Sequence, residues 1–162
     1  MQEPSACNRG VDRSVCEVIV VGTESGRECR VLLVDDNPDV RRAIEPVLAR
    51  WGWTLVGALE SADDLVRSVV AERPDVLLLD IDMPGRSAVH AIQELRYRGS
   101  ATKVLVYSGI SEEQTIRDCM DAGAMGYTLK LDGLDALRDG LHAVHAGRSY
   151  LSPSISGGQG GG

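Results

Sequence analysis

Five residues able to do chemistry stand in the same local setting in this 162-residue sequence. Asp35 and Asp36 follow the apolar run VLLV, Asp80 follows VLLL, Ser108 follows VLVY and Lys130 follows GYTL. Carboxylates brought close together repel, and their pKa values rise unless a cation joins them. A ligand set made only of oxygen favours a hard ion such as Mg²⁺. A lysine would add a second positive charge, and a serine a hydroxyl donor. A carboxylate in such company can attack phosphorus and form an acyl phosphate. This chemistry requires residues about a hundred positions apart to meet in one place.

The surrounding pattern supplies a way for them to meet. Val31–Val34, Val76–Leu79, Lys103–Tyr107 and Gly126–Leu129 read as buried strands, and Thr54–Ala58 as one more. Runs apolar on both faces suit a parallel sheet covered on both sides. Helical patterns separate them. The first opens at Asn37-Pro38, carries Val40, Ile44, Val47 and Leu48 on one face and stops at Gly52; Pro46 inside it should kink or weaken it. Ala62–Glu72, Ala88–Tyr97, Glu112–Ala122 and Leu134–Ala146 follow, the last with Leu134, Leu137, Leu141 and Val144 inward. Five β-α units result, an α/β fold with a doubly wound parallel sheet. Ligands of such sheets bind at the carboxyl ends of the strands. All five polar residues stand there.

The segments VLLVDDNP, VLLLDIDMPG, VLVYSG and GAMGYTLK resemble the landmark segments of the response-regulator receiver family of bacterial two-component systems. The likeness covers roughly residues 30–150. It implies a flavodoxin-like five-stranded sheet of order 2-1-3-4-5 with five helices. It also implies roles. Asp80 would accept the phosphoryl group from a sensor histidine kinase or phosphotransfer protein. Asp36, Asp80 and the backbone carbonyl of Asp82 would hold Mg²⁺ directly, with Asp35 acting mainly through water. Lys130 would pair with the phosphoryl oxygens. Ser108 would move toward the phosphate and Tyr127 would change rotamer with it, reshaping the surface of the fourth helix, fifth strand and fifth helix. Such a domain is a self-phosphorylating and self-dephosphorylating switch rather than a turnover enzyme, and a homodimer on activation is compatible with it.

Three features are particular to this sequence. Gly109 after Ser108 leaves the site open to water or a small phosphodonor. Asp82 adds negative charge at its mouth. Leu131 stands where many receivers carry proline, leaving the geometry of the loop after Lys130 open. The stretch from Gly126 to Pro153 resembles receivers that precede a helix-turn-helix output domain, and no such domain follows in this sequence.

Each residue also has a plainer reading. Asp35-Asp36 could cap the next helix. Lys130 could be a solvated lysine, Ser108 a turn residue and Tyr127 a half-buried strand aromatic. Only the joint pattern favours the site. His142 and His145 lack a neighbouring third ligand and read as a solvated helix face. Trp51, Trp53 and Cys119 read as packing residues. Arg41 and Arg42 fit a kinase-docking role or a solvated face equally.

Composition sets the outer limits. With 43% hydrophobic and 25% charged residues the chain is globular, and the absence of Phe makes the core aliphatic. A net charge of −7 argues against direct nucleic-acid binding. The four cysteines, Cys7, Cys16, Cys29 and Cys119, match no zinc spacing and are expected as free thiols. The start lacks a basic segment followed by a long apolar one, and no run approaches a membrane span, so the expected location is the cytoplasm. Residues 1–29 read as an extension around the β-like run Val18–Val21, and residues 151–162 as a flexible Ser/Gly-rich tail.

Two other functions fit parts of the pattern. A pseudoreceiver would bind partners without phosphate. A haloacid-dehalogenase-like phosphatase would use Asp80 and Asp82 as nucleophile and acid/base, but Met83-Pro84 and the upstream acidic pair oppose it.

Overall fold

A computed structural model describes residues 27–160. The extension's apolar run, Val18–Val21, lies outside the described residues. The chain begins with β1 (Cys29–Val34), α1 (Pro38–Arg50), β2 (Trp53–Leu59), α2 (Leu65–Glu72), β3 (Val76–Leu79) and α3 (Ala88–Tyr97). It continues with β4 (Lys103–Ser108), α4 (Glu113–Ala122), β5 (Gly126–Leu129), a 3₁₀ turn (Lys130–Asp132) and α5 (Gly133–His145). A short strand β6 (Tyr150–Leu151) and a one-turn helix α6 (Pro153–Ser156) follow.

The sheet has the order β2-β1-β3-β4-β5-β6, and every pairing is parallel. The flavodoxin-like order 2-1-3-4-5 expected for the first five strands is present. Its central strands are buried on both faces, as their unbroken apolar runs require. Alternation along each strand sorts the core into two layers. Leu32, Val34, Leu77, Leu79, Val106 and Tyr127 pack on one face, and Val31, Leu33, Leu78, Leu105 and Tyr107 on the other. On the second face Ile44 and Leu48 of α1 and Leu137, Leu141 and Val144 of α5 complete the layer.

Local signals act as their chemistry dictates. Asn37 caps α1 by accepting from the Asp39 amide at 2.9 Å. Gly52 ends the turn after it at φ +80°. The helix runs through Pro46; the missing N–H leaves the carbonyl of exposed Arg42 to water. Trp53 is buried, as expected of an anchor. His142 is exposed and His145 half-buried, and both rings lean on Trp53 with centroids 5.8 and 5.3 Å away.

The end of the domain differs from the sequence expectation. Among the described residues the sheet has a sixth strand, followed by a sixth α-helix. The tail expected to be flexible from residue 151 instead docks on β5. Ser152 donates its amide to the Tyr127 carbonyl at 3.0 Å, and its buried hydroxyl accepts from the Leu129 amide at 3.0 Å. Ile155 packs into the core, and the Asp132 carboxylate accepts from the Ser154 amide and hydroxyl. The Ser/Gly composition concealed this because three side chains, Leu151, Ser152 and Ile155, carry the docking. Leu134, expected inward, is 45% exposed; the buried stripe begins at Ala136 and Leu137.

Candidate functional site

The residues singled out by type converge at the carboxyl edge of the sheet. Backbone pairing places two of them. The Asp35 amide donates to the Leu59 carbonyl at 3.0 Å, and the Asp80 amide to the Val34 carbonyl at 2.8 Å. Register aligns Val34 with Leu79, so Asp35 and Asp80 lie side by side on one face. Both are buried, while Asp36 is exposed.

Lys130 joins them. Its ammonium donates to Asp35 Oδ2 at 2.7 Å and to Asp80 Oδ2 at 3.1 Å. The other oxygens are also engaged: Asp35 Oδ1 accepts from the Asn37 amide at 2.9 Å, and Asp80 Oδ1 from the Asp82 amide at 3.0 Å. Burial raises the pKa of Asp80, against the lowering effects of the Asp82 amide and the Lys130 charge. For Lys130 burial alone would depress the pKa, but the bond to Asp35 and the charge and bond of Asp80 override it, and the value is raised. The pair therefore favours a charged lysine.

Asp35, Asp36 and Asp80 can each present an oxygen within 4.8 Å of the others. A clustered, all-carboxylate donor set of this kind fits a hard divalent cation. Asp82 is exposed, and its amide rather than its carboxylate meets Asp80.

Ser108 and Tyr127 meet at a third residue. Ser108 Oγ accepts from the Ile110 amide at 3.1 Å, and the Tyr127 hydroxyl donates to the Ile110 carbonyl at 2.7 Å. Both side chains are wholly buried, so Tyr127 is a core residue and not a half-exposed one. Burial pushes its phenol up to about 12.

The domain that carries this cluster has known counterparts. Residues 31–142 match the response regulator receiver domain. The chain belongs to that family. It is 34% identical over 128 residues to the response regulator GacA of Pseudomonas aeruginosa, covering 78% of this chain and 60% of that protein. It is 28% identical to the nitrate/nitrite response regulator protein NarL of Escherichia coli, covering 78% of this chain and 59% of that one. The receiver thus spans about 60% of the length of such curated relatives. Among solved structures, a LuxR-family two-component response regulator from Aurantimonas sp. superposes with a TM-score of 0.76 at 27% identity, covering 81% of this chain and 94% of that one. The receiver domain of a response regulator NarL from Mycobacterium tuberculosis gives 0.71 at 26%, covering 75% and 99%.

Sequence reasoning missed three participants in this receiver's site. Arg41, read as a docking or solvated side chain, instead turns back and donates to the Asp35 carbonyl at 2.6 Å. Ile110 links Ser108 to Tyr127 through its backbone, which no side-chain pattern reveals. Tyr107 lies under the Lys130 ammonium, 5.6 Å from ring centroid to Nζ; strand alternation gave its face but not its neighbour. The loop after Lys130 is a 3₁₀ turn, and no peptide bond among the described residues is cis.

Proposed function

We propose that this receiver accepts a phosphoryl group on Asp80 in a Mg²⁺-dependent reaction and acts as a phosphorelay switch. The observation that carries the reading is Lys130, held by both Asp35 and Asp80 at one end of a parallel sheet. A carboxylate oxygen of Asp80 attacks phosphorus as the bond from phosphorus to the donor breaks, with the histidine of a sensor kinase or phosphotransfer protein as leaving group. Lys130 then follows the new charge, exchanging a carboxylate for a phosphoryl oxygen.

Asp36, Asp80 and the Asp82 carbonyl are the residues that would hold Mg²⁺, with Asp35 acting mainly through water. An ion held there would supply positive charge to the transferring group. Ser108 gives up the Ile110 amide to reach the phosphoryl group, and Tyr127, which holds the same residue, changes rotamer in response. The altered surface of α4, β5 and α5 is the output, and a homodimer on activation would form through it. The chain would act in the cytoplasm without gripping nucleic acid itself; no described helix is long and apolar enough to cross a membrane.

The test is incubation with Mg²⁺ and acetyl phosphate, read by intact mass. A phosphate adduct in wild type that disappears in Asp80→Asn is expected. No adduct, together with no beryllofluoride-induced change, would replace this reading with a phosphate-independent binding module.

A further inference from the structure

Lys130 cannot reach its carboxylates without crossing another side chain. Register pairs Leu79 with Val106 and Tyr107 with Thr128. Asp80 is therefore level with Tyr107 on the neighbouring strand, and Lys130 lies two residues beyond Thr128. Alternation puts Asp35, Asp80, Tyr107 and Lys130 on the same face. The strand order then fixes their sequence in space: Asp35, Asp80, Tyr107, Lys130. The lysine side chain must span β4 to contact β3 and β1, and the Tyr107 residue of β4 is what it spans.

The ring itself has little freedom. It is 7% exposed and packed in the layer with Leu33, Leu137 and Leu141. The ammonium lies 5.6 Å from its centroid, within the range where a ring face attracts a cation. The lysine side chain is 26% exposed, so the contact is partly shielded from water.

We infer that Tyr107 is a positioning residue for phosphoryl transfer, its ring face supporting the Lys130 ammonium between Asp35 and Asp80. This rests on the Asp80 reading. In the step concerned the bond from Asp80 oxygen to phosphorus forms, the donor's phosphorus–oxygen bond breaks, and acetate leaves when acetyl phosphate is the donor. The lysine keeps its proton and supplies charge. Tyr107 touches no reacting atom; it keeps the lysine over the carboxylates instead of in solvent. The ring face supplies this, so phenylalanine should serve and an aliphatic side chain should not.

The experiment compares wild type, Tyr107→Phe and Tyr107→Leu, each confirmed as folded by urea titration. Initial phosphorylation by acetyl phosphate with Mg²⁺ is followed by intact mass, and the Lys130 ε-methylene proton shifts by NMR. Phe is expected within about twofold of wild type and Leu about two- to fivefold slower, the range of a partly exposed cation–π contact. The ε-methylene protons should be shifted upfield by the ring in wild type and Phe and not in Leu. Leu matching wild type, or Phe as slow as Leu, would overturn the role. A wild type that takes no phosphate would instead remove the Asp80 reading and this role with it, while the ring-induced shift still reports the contact.

Discussion

The Lys130 ammonium binds Asp35 at 2.7 Å, across 95 residues of sequence. Asp35 is wholly buried, so the lysine is the partner that makes its charge tolerable there. Lys130→Ala would leave Asp35 and Asp80 as adjacent uncompensated carboxylates. We expect a loss of about 2 kcal/mol without Mg²⁺, below the roughly 3–5 kcal/mol of a fully buried pair because the lysine is partly exposed. Mg²⁺ should restore part of it by binding the folded state alone. Urea midpoints with and without the ion measure both effects; an unchanged midpoint in the variant without Mg²⁺ would contradict the assignment.

Asp82 stands exposed at the mouth of the site, tied to Asp80 only through its amide. Its carboxylate is free to accept a hydrogen bond from water approaching an acyl phosphate. Asp82→Asn keeps the amide and removes the charge, and should lengthen the phosphorylated lifetime by roughly threefold or more. Decay of the adduct followed by mass measures it. Equal decay in the two proteins would sink the idea.

Burial pushes the Tyr127 phenol up to about 12 and the Cys119 thiol up to about 11, from ordinary values of 10.0 and 9.0. Both groups are wholly buried. Folded-state values above the unfolded ones mean that the fold favours the protonated forms. Their contribution is complete below pH 9 and is lost as the pH rises through 11 and 12. Each shift corresponds to about 3 kcal/mol. Urea midpoints should fall between pH 8.5 and 11, and less steeply in Tyr127→Phe. Cys119 should resist thiol reagents until the protein opens.

The docked tail should contribute to stability. Ser152→Ala removes the acceptor for the buried Leu129 amide, a loss of about 1–3 kcal/mol. Ile155→Ala should cost about 2 kcal/mol through its contact with the core and expose residues 150–160 to protease. Chemical denaturation and limited proteolysis read the two effects, and an unaltered cleavage pattern in Ile155→Ala would argue that the tail is not held by it.

At Gly126 an added Cβ would lie 2.8 Å from Leu105 Cδ1, 2.9 Å from Val144 Cγ2 and 3.1 Å from the Tyr150 carbonyl. Three neighbours on three elements cannot all retreat in a packed core. Gly126→Ala should therefore destabilise by about 1–3 kcal/mol. Gly109→Ala meets nothing within 4 Å and should leave the urea midpoint unchanged. Equal midpoints for the two variants would refute the close approach of α5 to β5.

The sequence by itself determined the parallel α/β order of β1 to β5 and the level of the site, because burial on both faces leaves unbroken apolar runs, and a polar residue can follow only where a strand leaves the core. Asp35, Asp36, Asp80, Ser108 and Lys130 were legible for that reason. Relations between strands were not, because register, crossing side chains and backbone partners have no local signature. Only the tertiary structure decided that Arg41 turns back to Asp35, that Ile110 joins Ser108 to Tyr127, and that Ser152 and Ile155 close the edge of β5. The same holds for Tyr107. Its face follows from alternation, but that Lys130 must pass over it follows from β4 lying between β5 and β3.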